Sequence, residues 1–193
     1  MEQIRAFVAI ELPEDLRREL DRIQGSLKGT GVADHVRWVK PGGIHLTMKF
    51  LGDVPASTIT EIVHAVTQGS EGVKPFTISF SGLGCFPSSS RPSVIWVGVE
   101  GDTGTLMRLQ TAVEDSLSVL GYAAEKRRYT PHLTLGRVAR DVAASERRRL
   151  GDMIGEHIVG SLGEMQVCDV CLVKSELSPS GARYTRLAAV TLE

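Results

Sequence analysis

Two stretches of the sequence, GIHLTMKFLG (residues 43–52) and PHLTLGRV (residues 131–138), contain the same tripeptide, His-Leu-Thr, within an apolar run. Successive side chains of a β-strand point to opposite faces, so a strand at each position buries Leu46 and Leu133 on one face. The other face then carries a histidine and a threonine from each strand. A strand that only fills a core does not need these polar residues, and their repetition predicts two similar halves of the chain.

Apolar periodicity around these strands predicts an alternation of strands and helices. RAFVAIEL (5–12) is typical of a first strand, and the next apolar residues recur at spacings of four, three and four, which predicts a helix that ends near Gly29 or Gly31. Three further helices are predicted after Pro55, over 106–120 and over 144–157. EMQVCDVCLVKSEL (164–177) and ARYTRLAAVTLE (182–193) predict two closing strands, with a turn at 178–181.

The order of these elements predicts an α+β fold. The chain divides near the loop at 88–91 into two halves, each with two helices, several strands and one His-Leu-Thr tripeptide. No segment of the sequence is rich enough in Pro, Gly or Ser to separate independent domains. We therefore predict one bilobal domain over residues 1–193, with pseudo-twofold lobes whose two antiparallel sheets face a central groove and carry helices on the outside.

Composition excludes several classes of protein. The 22 Lys and Arg residues nearly balance the 23 Asp and Glu residues, so the net charge of -1 gives no overall attraction for nucleic acid, and a phosphate contact must come from a local basic patch. No apolar run approaches the ~20 residues of a membrane span, and the N-terminal run is too short for a signal peptide. Three cysteines fit a reducing cytoplasm. We expect a cytoplasmic monomer without a membrane segment.

The repeated histidine and threonine suit phosphoryl transfer. If the two lobes meet across a groove, His45 and His132 lie on opposite walls. One imidazole can then accept a proton while the other donates one, because histidine has an unperturbed pKa of about 6.5. The hydroxyls of Thr47 and Thr134 can donate hydrogen bonds to phosphate oxygens. By strand parity Arg137 lies on the face opposite His132, so it must reach the anion from the rim or after a twist of the strand.

Four other residues near the motifs have both a functional and a structural interpretation. Trp38 and Tyr129 precede the two motifs and are suited either to flank a nucleobase or to cap the core as rim aromatics. Arg37 is suited to contact a phosphate or to face solvent. Phe50 is suited to stack on a base or to fill the core, and the core is expected because strand parity puts it on the face opposite His45.

The remaining polar motifs are less specific. KRR (126–128) is close enough to the second motif to contact an RNA backbone, although charge runs are usually solvated surfaces, and RRR (147–149) is expected to be structural. The Cys-x-x-Cys at 168–171 lacks a second pair, and cysteines three apart in a strand face opposite sides. We therefore expect neither a metal site nor a cofactor.

RWVKPGGIHLTMKFLG (37–52) and YTPHLTLGRV (129–138) resemble the two signature motifs of the 2H phosphoesterase superfamily. They are most similar to its RNA 2′,3′-cyclic phosphodiesterase branch, formerly called 2′-5′ RNA ligases. The likeness extends over nearly the whole chain, through RAFVAIELP, PSVIWVGV and LVKSELSPSGARYTRL. It departs at Gly42 and Gly43, where many relatives carry a polar Glu-Asn-like pair, and this difference concerns local substrate contacts rather than the histidines.

The resemblance implies the bilobal 2H phosphoesterase fold and a metal-independent, cofactor-free hydrolysis of RNA 2′,3′-cyclic phosphate ends to 2′-phosphates. Carried to this sequence, it makes His45 the proton donor to the 3′ oxygen and His132 the acceptor that activates water, while Thr47 and Thr134 hold the phosphate. The same site run backwards joins a cyclic phosphate to a 5′-hydroxyl as a minor reaction. Two alternatives stay open: a phosphodiesterase for small cyclic or 2′,5′-linked nucleotides, and a non-catalytic binder of RNA ends.

Overall fold

The computed structural model describes residues 2–29, 32–178 and 181–193. Within these ranges the chain forms four α-helices: α1 (Glu14–Lys28), α2 (Ile59–Ser70), α3 (Thr103–Val119) and α4 (Ala144–Glu156). The same ranges contain nine β-strands: β1 (Gln3–Glu11), β2 (Val36–Trp38), β3 (His45–Pro55), β4 (Phe76–Phe86), β5 (Val94–Gly101), β6 (His132–Val138), β7 (Glu164–Val167), β8 (Asp169–Ser178) and β9 (Gly181–Thr191).

Local sequence explains where the helices begin and end. Pro13 stands immediately before α1, where a missing backbone N–H leaves no hydrogen bond unmade. The Asp102 side chain caps α3 by accepting a hydrogen bond of 2.9 Å from the backbone N–H of Thr105. Helix α1 ends at Lys28, next to the predicted stop at Gly29, while the alternative stop at Gly31 lies outside the described residues.

The strands form one curled antiparallel sheet in the order β7-β4-β5-β6-β3-β1-β8-β9, with β2 paired to β6. The strands that carry the two His-Leu-Thr tripeptides, β3 and β6, are neighbours at its centre. They meet through the pair Leu46 and Leu133, so the two predicted sheets are the two halves of one sheet joined at this point. The predicted α+β class with an antiparallel sheet is confirmed.

The chain does not divide between these sheet halves at 88–91, so that part of the prediction was wrong. Strand β4 lies before this loop and pairs with β5 after it, while β8 and β9 return to pair with β1. One half of the sheet, β3-β1-β8-β9, combines strands from both ends of the sequence, whereas the strands β7, β4, β5 and β6 of the other half come from its middle. Hydrogen bonding across the sheet decides this arrangement, and apolar periodicity along the chain carries no information about it.

The predicted strand at 164–177 is interrupted at Cys168 and forms two strands. Strand β7 pairs with β4 at one end of the sheet, whereas β8 pairs with β1 and β9 at the other end. The predicted turn at 178–181 includes Pro179 and Ser180, which lie outside the described residues. The flanking residues Ser178 and Gly181 pair with each other, as expected for two strands joined by a hairpin.

The two faces of the sheet have different neighbours. One face carries Leu46 and Leu133 and packs against the apolar sides of the helices, including Leu20 of α1 and Leu106 of α3, in one core. The opposite face carries a smaller apolar cluster of Phe7, Ala9, Cys171 and Val173, with Tyr184 packed against it. This second face of the sheet, away from the helices, carries the groove described below.

None of the helices in the described part of the chain is long and apolar enough to cross a membrane.

Candidate active site

Both His-Leu-Thr tripeptides line a single open groove with a volume of about 960 Å³. The groove is lined by His45 and Thr47 from β3 and by His132 and Thr134 from β6, all of them half-buried. The leucine between each histidine and threonine is fully buried on the helix side of the sheet. The strand alternation predicted from the sequence therefore holds through both tripeptides, and the four predicted polar residues share one site.

The pairing of β3 with β6 sets the distance between the histidines. Leu46 is directly opposite Leu133 in an antiparallel pair. An antiparallel pair in this register has His45 opposite Thr134 and His132 opposite Thr47, so the two histidines are diagonal neighbours, roughly 7–8 Å apart at the backbone. A tetrahedral phosphate group fits between two imidazoles at this separation. Each histidine also has the threonine of the other strand beside it.

His45 is enclosed by aromatic rings. Phe7 stacks on its imidazole with a centroid distance of 4.5 Å and an interplanar angle of 24°, and Tyr184 presents its edge at 5.1 Å. Burial lowers the pKa of His45 to about 4, against the raising effect of a hydrogen bond to the backbone of Gly43, and the positive charge of Arg17 lowers it further. His45 is therefore neutral at pH 7 in the free protein.

His132 has a defined tautomer. Its Nδ1 lies 2.7 Å from the carbonyl oxygen of Thr130, and since a carbonyl can only accept, Nδ1 carries the proton in the neutral ring. The lone pair of Nε2 is then free to accept a proton. Phe86 contacts the ring edge-on at 4.9 Å. Burial lowers the pKa of His132, the bond to Thr130 opposes this, and the charge of Arg137 lowers it further.

A β-bulge follows the threonine in each of the two strands. In β3, Lys49 pairs with Val8 and Thr47 with Ala9, so Met48 is left out of the ladder with β1. In β6, Gly136 pairs with Ile95 and Thr134 with Trp96, so Leu135 is left out of the ladder with β5. One extra residue reverses the faces of all residues beyond it.

The two bulges overturn two expectations based on strand parity. Phe50 was expected in the core, but it is 57% exposed and lines the groove, so this prediction was wrong. Strict parity puts Arg137 on the face opposite His132, and it was expected to reach the anion from the rim or through a twist of the strand; the bulge brings it into the same groove as His132. Phe50 and Arg137 follow their threonines by the same three positions, so each half of the site contributes one side chain from the equivalent place.

Tyr129 lines the groove, and its hydroxyl is engaged. The hydroxyl donates a hydrogen bond of 3.0 Å to the backbone carbonyl of Thr47, and burial raises the pKa of the phenol. Arg127 and Arg128, from the predicted basic run, line the same groove. This segment therefore brings two cations to the groove and supports the strand behind Thr47.

Arg37 and Trp38 are not among the residues that line the groove. Trp38 packs against the main core, and the Nζ atom of Lys28 lies 5.7 Å from the centroid of its ring. Arg37 is exposed on β2 directly opposite Arg137 of β6. Directly paired residues in an antiparallel sheet share a face, so Arg37 lies beside Arg137 at the rim of the site.

Three aromatic residues at the site were missed by the sequence reasoning: Phe7, Phe86 and Tyr184. Each contacts a histidine ring. Phe7 lies in an apolar strand and Phe86 next to a loop of Pro and Ser, where an aromatic side chain is ordinary. No sequence signal distinguishes them, because only the strand pairing places them against the histidines.

The described residues include no group of three or more His, Cys, Asp or Glu side chains suited to hold a metal ion. In the Cys-x-x-Cys segment, Cys168 is exposed and Cys171 is buried, with its thiol 3.3 Å from a carboxylate oxygen of Asp169. The two thiols therefore lie in different environments, and Cys168 lies between β7 and β8 rather than in one strand with Cys171.

Comparison with known proteins adds a family and a fold. The family model "LigT like Phosphoesterase" matches residues 10–96. An RNA 2′,3′-cyclic phosphodiesterase of Methanothermobacter thermautotrophicus is 37% identical over 98% of this chain and 100% of its own length. Another, of Archaeoglobus fulgidus, is 34% identical over 95% of this chain and 98% of its own.

Solved structures show the same architecture. A protein of Thermus thermophilus superposes with a TM-score of 0.78 at 26% identity, over 98% of each chain. E. coli LigT complexed with 3′-AMP superposes with a TM-score of 0.78 at 23% identity, over 99% of each chain.

Proposed function

The chain belongs to the LigT-like phosphoesterase family, and on this premise we propose that it hydrolyses the 2′,3′-cyclic phosphate ends of RNA to 2′-phosphates. The relatives that match nearly the full chain are named for this activity. The observation that carries the proposal for this chain is the direct pairing of Leu46 with Leu133, which makes His45 and His132 diagonal neighbours in one groove.

The two histidines serve as acid and base without a metal ion. Water adds to the phosphorus as the bond from phosphorus to the 3′ oxygen breaks, and attacking and leaving oxygens lie roughly in line on opposite sides of the phosphorus. Nε2 of His132 takes the proton from water, because its Nδ1 proton is held by Thr130. His45 gives a proton to the departing 3′ oxygen. The family resemblance assigns which histidine plays which role.

The other groove residues stabilise the phosphate. The hydroxyls of Thr47 and Thr134 donate hydrogen bonds to non-bridging phosphate oxygens, and the guanidinium of Arg137 offsets the negative charge that grows in the transition state. Arg127, Arg128 and the rim residue Arg37 face the path of an RNA backbone that leaves the groove. These cations favour an oligonucleotide over a small cyclic nucleotide as substrate.

Substrate binding prepares His45 to act as the acid. In the free protein its pKa of about 4 keeps the ring neutral at pH 7. A bound phosphodiester carries a negative charge next to the ring and therefore raises the pKa of His45. The charged form is then populated where it is needed. The reverse reaction, which joins a cyclic phosphate to a 5′-hydroxyl, uses the same groups with exchanged roles and stays minor because water is the abundant nucleophile.

Single substitutions of the histidines test the proposal. With a 2′,3′-cyclic phosphate oligonucleotide in the presence of EDTA, His45→Ala and His132→Ala should each lower kcat roughly a hundred- to ten-thousandfold. His64→Ala changes an exposed histidine on α2 and should leave kcat unchanged. Full turnover by either groove variant, or loss of wild-type turnover in EDTA, would contradict the mechanism. Binding of the oligonucleotide without any wild-type turnover would identify a binder of RNA ends, and preference for a mononucleotide would favour a small-nucleotide substrate.

A further inference from the structure

Two buried glutamine side chains contact the strands that form the groove, one from each of two helices, and Gln110 also lines the groove. Gln24 of α1 is 0% exposed and Gln110 of α3 is 5% exposed. An amide that is removed from water must have its hydrogen-bonding groups satisfied, so a buried glutamine reports a specific set of partners. Most of the buried side chains around them are apolar, so these two amides need a structural explanation.

Each glutamine donates a hydrogen bond to the residue that forms a β-bulge. Nε2 of Gln24 lies 2.9 Å from the carbonyl oxygen of Leu135 and 2.7 Å from that of Val39. Nε2 of Gln110 lies 3.4 Å from the carbonyl oxygen of Met48. Met48 is left out of the ladder of β3 with β1 directly after Thr47, and Leu135 is left out of the ladder of β6 with β5 directly after Thr134. The same device thus occurs once in each half of the site.

A second side chain, one helical turn further along, fixes the orientation of each amide. Nζ of Lys28 donates a hydrogen bond of 3.4 Å to Oε1 of Gln24, which leaves Nε2 directed at the strand carbonyls. Gln110 donates a hydrogen bond of 3.1 Å from Nε2 to Oε2 of Glu114. Residues four apart face the same side of a helix, so both pairs are favoured by helix geometry.

The bulges determine which side chains enter the groove. A strand without the extra residue keeps strict alternation, and every side chain beyond that point then moves to the other face of the sheet. Without the bulge at Leu135, Arg137 belongs on the helix side with Leu133. Without the bulge at Met48, Phe50 belongs on the helix side with Leu46. Both side chains depend on the bulge for their place in the groove.

We propose that Gln24 and Gln110 are positioning residues of the catalytic groove, which hold the two β-bulges and thereby aim Arg137 and Phe50 at the substrate. Gln24 acts through Arg137 and Gln110 acts through Phe50. The inference rests on one part of the proposed function, namely that the groove binds the phosphate at the end of a substrate. The positions of the bulges and the bonds to them are independent of which phosphodiester is cleaved.

Double-mutant cycles test this assignment. Gln24→Met keeps the length of the side chain and removes the donor. Since a buried hydrogen bond is worth about 0.5–1.5 kcal/mol, it should weaken binding of inorganic phosphate roughly two- to tenfold in the wild-type background. In the Arg137→Ala background the same change should have almost no further effect, because the side chain through which Gln24 acts is gone. An equal effect in both backgrounds would show that Gln24 is merely structural and would overturn the proposal.

The other glutamine supplies the second cycle and the controls. Gln110→Met should raise KM for a cyclic-phosphate oligonucleotide in the wild-type background but not in the Phe50→Ala background. The crossed pairs, Gln24→Met with Phe50→Ala and Gln110→Met with Arg137→Ala, should be additive, since each glutamine holds a different bulge. Coupling in the crossed pairs as strong as in the matched pairs would contradict the assignment.

A milder variant and a binding measurement keep the test decisive. Lys28 is exposed, so Lys28→Met leaves Gln24 in place and removes only the hydrogen bond that orients its amide. Lys28→Met should show a smaller loss of phosphate binding that again disappears in the Arg137→Ala background, even if Gln24→Met does not fold. Because phosphate binding is measured without turnover, a wild-type protein that binds phosphate but cleaves no cyclic phosphate refutes the proposed function and leaves the Gln24 cycle interpretable.

Discussion

Leu46 and Leu133 face each other across the two central strands, β3 and β6, of a single antiparallel sheet. Both leucines are fully buried on the helix side, so the histidine before each and the threonine after each turn to the groove. One apolar pair in the core therefore fixes the register of four polar groups on the other side of the sheet. The proposed acid, base and phosphate-binding hydroxyls are therefore arranged by packing in which they take no part.

The pKa of His45 is predicted to control the pH dependence of the reaction. The value of kcat/KM reports the protonation of the free enzyme, and the proposed mechanism requires a neutral His132 and a charged His45. The pKa of His45 is lowered to about 4, and that of His132 is also lowered. The form with a charged His45 and a neutral His132 is therefore most populated below pH 6.5. We expect kcat/KM to have its maximum on the acidic side of pH 6.5 and to fall as the pH rises further. NMR titration of the imidazole carbons should give His45 a pKa of about 4 in the free protein.

Two comparisons test the cause of this shift. Phe7→Ala opens the stacked side of the His45 ring to water and should raise its pKa toward the unperturbed value, since burial is the largest cause of the shift. Saturation with inorganic phosphate should also raise it, because an anion favours the imidazolium. An unperturbed pKa in the free wild-type protein, or a pKa that phosphate lowers, would contradict the proposed environment of His45.

Each of the two threonine hydroxyls is predicted to donate a hydrogen bond to the phosphate of the substrate. Thr47→Val and Thr134→Val keep the shape of the side chain and remove a donor to a charged oxygen, a bond worth about 1.5–3 kcal/mol. Each should lower kcat/KM for the cyclic-phosphate oligonucleotide roughly ten- to a hundredfold. Thr67→Val provides the control, because the Thr67 hydroxyl is exposed on α2 and bonds only within its helix, to the carbonyl of Val63. Wild-type kcat/KM in either groove variant would exclude that hydroxyl from phosphate binding.

The sequence could predict the parts of the site that depend on alternation within a few residues. The repeated His-Leu-Thr settles the orientation of His45, Thr47, His132 and Thr134, because a strand has a period of two over any three residues. The helices were predictable for the same reason, since their apolar residues repeat along the chain. Both signals are local, and both survive in the structure.

The rest of the site depends on strand pairing, which local periodicity does not encode. The bulge at Met48 moves Phe50 into the groove, and the bulge at Leu135 does the same for Arg137. Tyr184 reaches His45 because β9 returns to the sheet beside β8, far from β3 in the sequence. The hydrogen bonds of Gln24 and Gln110 to the strands are likewise not predictable from the sequence, since a glutamine in an amphipathic helix is ordinarily expected to face solvent.

The ion pair between the buried Lys49 and the groove-lining Glu114 is predicted to contribute strongly to the stability of the fold. Lys49 is 3% exposed and Glu114 15% exposed, with Nζ and Oε1 2.8 Å apart. Nζ also donates to the carbonyl of Ala123 at 2.6 Å, and the same carboxylate accepts from the backbone N–H of Glu125 at 2.8 Å, so the pair holds the segment that leads to Arg127. Lys49→Met strands a buried carboxylate and should lower the free energy of unfolding by about 3–5 kcal/mol.

Two further variants separate charge from packing in this prediction. Glu114→Gln added to Lys49→Met removes the stranded charge and should restore part of the lost stability in urea denaturation. Lys174→Ala breaks a more exposed pair with Glu176, 3.1 Å apart, and should cost less than about 1 kcal/mol. A loss for Lys49→Met as small as that for Lys174→Ala would mean that the buried pair does not hold this segment.

Helix α4 is predicted to depend on a glycine where it crosses the loop at 88–91. A Cβ atom on Gly151 would overlap the backbone carbonyl oxygen of Ser89, whereas a Cβ on Gly155, one turn later, meets nothing within 4 Å. Backbone cannot rotate away as a side chain can, so Gly151→Ala must displace the loop or the helix and should lower the free energy of unfolding by about 1–3 kcal/mol. Gly155→Ala should instead raise it by about 0.5–1 kcal/mol, because alanine is the better helix former at an open position. If α4 packs this closely on the loop, urea denaturation should show a lower free energy of unfolding for Gly151→Ala and a higher one for Gly155→Ala. A stabilised Gly151→Ala protein would disprove the contact.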